Sequence, residues 1–268
     1  MEMKLKKLQN IVYRDIGNGF PIMLIHGFPF DGTLWDYQIQ KLQHSFHLLI
    51  PDLPGSGQSP LLPVTSMEGM ADALHAILIQ EKIDQCILIG HSMGGYTTLA
   101  FAEKYPDKLK GFGLYHATAF ADPEEKKRGR LRSIEMMRQY GAGAFLHQTL
   151  PAYFAEKYRK NNKDALEALI KSRKDADVAA LVAYYEAMMQ RPDRTHVLIQ
   201  SKVPVLFVLG KEDTAAPPAD VLQQVSLPVV SEVHLLADVA HMSMLEMPDA
   251  SSKILEQFIR FCIDFPFA

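Results

Sequence analysis

Ile89-Gly90-His91-Ser92-Met93-Gly94-Gly95 is the stretch on which the reading of this chain turns. In front of it, Gln85-Cys86-Ile87-Leu88-Ile89 is apolar and β-rich, long enough for a strand buried in a parallel sheet. Behind it, residues 94–105 are compatible with a helix that Pro106 halts. Gly-x-Ser-x-Gly between a strand and a helix reads as a nucleophile elbow. Such a turn is tight enough that bulk at its flanks would clash, and Gly90 and Gly94 remove that bulk. Ser92 then projects above the sheet, beside the positive end of a helix dipole. The pentapeptide alone is a weak signal; its place between strand and helix is what gives it weight.

The segments on either side repeat the strand-then-loop pattern. Residues 8–16 mix apolar and polar side chains and end at Gly17-Asn18-Gly19, an edge strand entering a turn. Residues 21–25 form an apolar inner strand closed by His26-Gly27-Phe28-Pro29. A second inner strand, 46–50, runs into Pro51-Asp52-Leu53-Pro54-Gly55-Ser56-Gly57-Gln58-Ser59, a loop dense in turn residues. Over 66–81, Met70, Ala73, Leu74, Ile77 and Leu78 recur at helical spacing. Further strands are expected at 109–115, at 203–209 before Gly210-Lys211-Glu212-Asp213, and at 231–236 before Asp238-Val239-Ala240-His241. Residues 249–261 read as an amphipathic helix. The alternation predicts an α/β fold: a mostly parallel central sheet with helices on both faces. Residues 120–195 break the rhythm, being charged and helix-rich, with helices sketched at 123–140, 142–158, 164–174 and 177–189. The expected organisation is a core domain over 1–118 and 196–268, with a helical cap inserted at 119–195.

The totals set bounds on this picture. A chain of 268 residues suits one large α/β domain with an inserted lobe. Its 48% hydrophobic and 22% charged residues are ordinary for a soluble globular protein, and a net charge of -3 gives no reason to expect nucleic acid or an anionic membrane as partner. Cys86 lies in the strand before the elbow, so a small buried thiol is expected there rather than a disulfide with Cys262. The charged start, Met1 to Lys7, has no apolar run behind it, and no stretch reaches the length of a membrane span. A cytoplasmic protein is the expectation. The scattered histidines and two distant cysteines give no metal-ligand spacing. Gly55-x-Gly57 lacks the Gly-Lys-Ser/Thr ending of a phosphate loop. Neither a metal nor a cofactor is expected.

A serine hydroxyl is a poor nucleophile at neutral pH and needs a base within reach. That base needs a third group to fix its tautomer, and donors must meet the oxyanion that forms on the attacked carbonyl. Ser92 has candidates for both partners at the ends of later strands. His241 follows the last strand in a turn-like segment, and Asp213 follows the strand before it, with Glu212, Asp220 and Asp238 as competitors.

These pieces resemble the α/β-hydrolase superfamily along nearly the whole chain. The matching motifs are His26-Gly27-Phe28-Pro29, Asp52 to Ser59, Gly90 to Gly95, Gly210 to Asp213 with Pro217, and Ala240-His241-Met242, in the order Ser92, Asp213, His241. Where many relatives carry a glycine before the histidine, this chain has Ala240. The resemblance favours Asp213 as the acid and implies that the backbone N–H groups of Phe28 and Met93 form the oxyanion hole. It implies a cofactor-free serine hydrolase that cleaves a carboxylic ester or related acyl bond of a small molecule through an acyl-enzyme. A monomer or loose homodimer is the default. The same triad and cap also serve lactonases and enol-lactonases, C–C bond hydrolases and cofactor-free haloperoxidases, and a triad-bearing small-molecule receptor is the alternative outside enzymes.

Other residues carry two readings each. His26 is expected to buttress the oxyanion loop, and His91 to point away from the attack. Trp35, His116 and Met242 are assigned to the substrate pocket, against structural roles for each. Met136, Met137, Met188, Met189, Met242 and Met244 read as helix packing, or else as a pliant acyl pocket. Lys126, Lys127, Arg128, Arg130, Arg132 and Arg138 read as a solvated helix face, with a site for a substrate carboxylate or phosphate as the alternative.

Overall fold

A computed structural model describes residues 3–266. Eight strands form one sheet: β1 (Lys4–Leu8), β2 (Ile11–Ile16), β3 (Pro21–Ile25), β4 (His47–Asp52), β5 (Cys86–His91), β6 (Leu109–Tyr115), β7 (Val205–Gly210) and β8 (Ser231–Leu236). Their order across the sheet is β1-β2-β4-β3-β5-β6-β7-β8. The pairs β1–β2 and β2–β4 are antiparallel, and every later pair is parallel. The two faces are covered by helices, which is why β5 and β7 are buried at every position and read as unbroken apolar runs. β8, at the edge, alternates instead. The α/β fold expected from the alternation of strands and helices is the one observed.

At the other edge the structure departs from the single strand expected at 8–16. The chain turns back at Gln9, whose φ is 36°, so that Lys4–Leu8 pairs with Ile11–Ile16 as a hairpin. No strand was expected over the segment of Lys4, Lys6 and Lys7, whose charge gives no apolar run. Cross-strand pairing makes it a strand, with Lys6 bridging Asp15 and Glu81, and lysines suit an edge that must not pair further.

Between β6 and β7 the described chain is helical: Glu124–Thr149, Glu156–Asn161, Lys163–Ser172, Val178–Gln190 and Thr195–Gln200. Gly141, with φ of 79°, breaks the first of these close to where two separate helices were expected. The helix expected to run on to 158 stops at Thr149. Pro151 lies in the 3-10 turn Leu150–Tyr153 that follows, where its missing N–H and fixed φ are tolerated. This segment is tied by polar contacts to the loops after β3 and β4 and to the helices Met67–Gln80 and Met93–Lys104. The Tyr184 hydroxyl donates to the Pro54 carbonyl at 2.8 Å, Arg173 pairs with Asp31, and Arg194 reaches Glu68 and Glu103. Cys86 and Cys262 are both buried and free.

Two loops at the carboxyl rim come so close that only glycine fits between them. A Cβ on Gly210, at the end of β7, would stand 2.0 Å from the Ala240 carbonyl oxygen and 2.5 Å from that of Val239. Gly210→Ala is therefore expected to lower the unfolding free energy by at least about 2 kcal/mol in urea titrations, because backbone must move. Gly129→Ala, whose new methyl would have no neighbour nearer than 4.0 Å, should raise it by about 0.5–1 kcal/mol through helix propensity.

Candidate active site

Ser92 sits between β5 and the helix Met93–Lys104, with φ of 52° and ψ of -115°. A non-glycine residue holds that backbone only where its surroundings over-determine it. Here the Ser92 N–H donates to the Tyr115 carbonyl at 2.9 Å, and the Ser92 carbonyl accepts from Gly95 N–H at 2.8 Å. The flanking glycines leave no room for side chains: a Cβ on Gly90 would stand 2.2 Å from the Gly94 carbonyl oxygen, and one on Gly94 would stand 2.5 Å from that of His26. Met93 opens the helix, so its N–H has no acceptor within the helix.

Asp213 and His241 lie on the loops after β7 and β8, and they meet. His241 Nδ1–H donates to Asp213 Oδ2 at 2.8 Å. The other carboxylate oxygen accepts from the N–H groups of Ala215 and Ala216 at 2.8 and 2.9 Å. Burial alone would raise the Asp213 carboxyl, but the charge of His241 and the hydrogen bonds from His116 and His241 outweigh it and hold the group far below the usual carboxylate range. The His241 backbone is clamped as well. Its N–H donates to the Tyr153 carbonyl at 2.9 Å, and its carbonyl accepts from His91 Nε2 at 3.0 Å. Glu246 steadies the same loop by accepting from the N–H groups of Ala240, Met242 and Ala155.

Three residues assigned to the pocket from sequence sit elsewhere. His116 is buried behind Asp213, with Nδ1 3.1 Å from Oδ2 and Nε2 2.8 Å from the Ser243 hydroxyl. It is held in a positive-φ conformation at the end of β6. Trp35 is fully buried and packs edge-on to Tyr115, with ring centroids 5.6 Å apart, and Met242 is fully buried too. His26 ties the loop after β3 to the loop after β4, its Nε2 accepting from Leu53 N–H at 2.9 Å and lying as close to the Ser56 hydroxyl.

A cavity of about 290 Å³ opens over Ser92, with Phe28 and Tyr153 on its walls. The Tyr153 ring also packs on His241, centroids 5.2 Å apart, so the imidazole lies beside this cavity. Lys126, Arg130 and Tyr185 line it from the helical segment, and Tyr96 from the helix after the elbow. Sequence reasoning singled out neither Tyr96, Tyr153, Tyr185 nor Glu246. Each lies in a helix, a short turn or a loop, where no motif marks a side chain as facing a site. A larger hollow, of about 490 Å³, lies at the opposite end of β5 and β6 between Gln85, Asp107 and Lys202, away from every group just described.

One nitrogen or oxygen each from His116, Asp213 and His241 lies within 4.8 Å of the others, a spacing that a metal ion could also use. An ion there would displace the hydrogen bonds that both Nδ1 atoms make to Asp213. The donor set is complete as a hydrogen-bonded relay.

The family model of the alpha/beta hydrolase fold matches residues 21–248. The chain belongs to the α/β-hydrolase family. An esterase from Thermogutta terrifontis, solved with malate bound, is 30% identical and superposes with a TM-score of 0.91 over 97% of this chain and 99% of that one. Lipase 1 of Psychrobacter immobilis is 26% identical over 257 residues, covering 92% of this chain and 80% of that protein. The enol-lactonase of Burkholderia xenovorans LB400, 24% identical, shares the fold with a TM-score of 0.87 over 96% of this chain and all of the other (100%). With esterases and lipases for relatives, this chain is a hydrolase of the α/β fold. Among the described residues no helix is long and apolar enough to cross a membrane.

The buried histidines of this α/β-hydrolase make its stability depend on pH. Burial first, then the nearby His241 and His116, push His91 well below the ordinary imidazole value of 6.5; burial also lowers His116, against the pull of Asp213. The folded chain keeps both rings neutral where the unfolded chain already binds protons. Stability is therefore present above about 6.5 and declines as pH falls below it. The depressed Asp213 value acts in the same direction at lower pH. Urea midpoints measured at pH 7.5 and pH 5.0 should show the lower value at pH 5.0, and His116→Gln should weaken that slope.

Proposed function

We propose that this protein is a serine hydrolase that cleaves a carboxylic ester or related acyl bond of a small molecule, with Ser92, His241 and Asp213 as its catalytic triad. The observation that carries this reading is the buried 2.8 Å hydrogen bond from His241 Nδ1 to Asp213, beside the cavity that holds Ser92. With Nδ1 donating to the carboxylate, His241 Nε2 is left as the basic nitrogen. Ser92 attacks the carbonyl carbon while Nε2 takes its proton. The N–H groups of Phe28 and Met93 receive the oxyanion of the tetrahedral intermediate. That intermediate collapses to the acyl-enzyme, and imidazolium returns its proton to the departing alcohol. Water, deprotonated by Nε2, then attacks the acyl carbon, and the acid leaves as the serine is reprotonated. No metal or cofactor enters. The segment 119–195 acts as the cap over the site, and the protein works in the cytoplasm as a monomer or loose homodimer.

Support for the serine comes from the strained elbow geometry, which is costly unless it serves a purpose. Opening of a lactone by the same triad is the second reading, favoured by Lys126 and Arg130 on the cavity wall, which suit a charged substrate. Aryl esters of graded acyl length and a panel of lactones separate the two by kcat/KM.

Ser92→Ala should abolish labelling by a fluorophosphonate and lower ester turnover by a factor of about 10⁴ or more, with an unchanged circular dichroism spectrum. Asp213→Asn should cost about 10⁴ in kcat, because an amide no longer selects the tautomer. Undiminished turnover by Ser92→Ala sinks the assignment.

A further inference from the structure

The cavity over Ser92 is polar in an unbalanced way. Asp122 is fully buried and pairs with Arg130 Nε at 2.6 Å and with Arg191 Nη1 at 2.9 Å, while the Lys126 ammonium lies 3.9 Å away. Three cations thus surround one carboxylate. Arg191 is largely spent in the structure, donating to the carbonyls of Met188 and Phe120 and stacking on the Tyr96 ring at 3.8 Å. Lys126 and Arg130 differ from it because both line the cavity itself. Lys126 gives one hydrogen bond to the Ala215 carbonyl at 2.8 Å, and Arg130 has its guanidinium over the Tyr185 ring at 4.9 Å.

The other titratable groups on the cavity wall do not cancel this charge. Tyr153 and Tyr185 are phenols raised by burial, and so neutral. Burial would likewise raise Tyr96, yet Lys126, Arg191 and Arg130 hold it below its usual value, the mark of a positive field at that spot. Asp213, on the loop behind Ala215, is already shared by two histidines and two backbone N–H groups. A solvated helix face accounts for Lys127, Arg128, Arg132 and Arg138, but not for Arg130, whose side chain is only 12% exposed. A cavity whose wall carries surplus cations favours an anion that neutralises them.

We propose that the substrate is a small ester carrying a free carboxylate, which Lys126 and Arg130 receive while its acyl carbon lies at Ser92. The proposal rests on the serine-hydrolase reading and adds to it the substrate's charge. The carboxylate sits on the acyl side in a half-ester of a dicarboxylic acid, or on the alcohol side in an ester of a hydroxy acid. Both place the same anion in the same cationic cavity. In either case hydrolysis adds water across the acyl C–O bond, and the distant carboxylate is unchanged.

Matched substrates test this. Monoethyl glutarate is compared with ethyl pentanoate, and carboxymethyl butanoate with ethyl butanoate, each pair differing in carboxylate against methyl. The wild-type protein should favour one acid over its neutral twin by about tenfold or more in kcat/KM, the worth of one charge-assisted contact. Which pair shows the preference assigns the side. Added salt should shrink the ratio. Lys126→Met and Arg130→Met should each lower the ratio of acid to neutral turnover, a quantity read within one variant and so insensitive to a general loss of activity. Equal or better use of both neutral esters by the wild type overturns the proposal and leaves the hydrolase reading standing. If no ester is turned over, the hydrolase reading is the one that fails. Calorimetry of glutarate with Ser92→Ala then decides the anion site alone: saturable binding that Arg130→Met weakens upholds it, and its absence refutes it.

Discussion

One buried carboxylate holds the candidate site together. Asp213 accepts from the imidazoles of His241 and His116 on one oxygen and from two backbone N–H groups on the other. The donors come from the loop after β8, from the end of β6 and from Asp213's own loop after β7, so a single ion organises three parts of the rim. Its desolvation would be expensive if any of these bonds were missing, since an unsatisfied buried charge costs several kcal/mol. The loops therefore have little freedom to separate. The approach of Gly210 to the Ala240 carbonyl gives the same constraint in steric form: both loops must close to contact before the hydrogen bonds can form.

This coupling explains why so many buried polar groups crowd around His241. His91 holds the His241 carbonyl, Tyr153 holds its N–H, and Glu246 takes the N–H groups on either side of it. The role proposed for His241 requires a fixed backbone, and these contacts supply one. The Tyr153 contact comes from the helical segment between β6 and β7. Anything that displaced that segment would loosen the histidine as well as open the cavity.

Much of this was legible in the sequence because parallel strands buried on both faces must be apolar runs, and their loops must hold the chemistry. Strands β3, β6 and β8 begin and end at the residues expected from hydrophobic runs and turn signals. The elbow was legible for a similar reason, since its glycines are demanded by backbone contacts that any side chain would break. The hairpin at the first edge was hidden, because a lysine-rich strand acquires its identity only from the partner it pairs with. His116 looked like a pocket residue because it ends a strand at the rim that carries Ser92; the strand end was right, but at its positive φ the ring meets Asp213. The tyrosines on the cavity wall were illegible, because which face of a helix overlooks a site depends on how that helix docks.

The basic run from Lys126 to Arg138 shows where composition stops and geometry begins. Six cations on one helix suggest a single role, yet the fold divides them. Arg130 is drawn inward by Asp122, which is itself fully buried on the approach to that helix. Asp122 cannot be buried without cations, and the cations it attracts outnumber it. An excess positive field on the wall of the cavity over Ser92 is therefore a consequence of how the segment is anchored. The same ion cluster that fastens the helices over the sheet also sets the electrostatic character of the space beneath them.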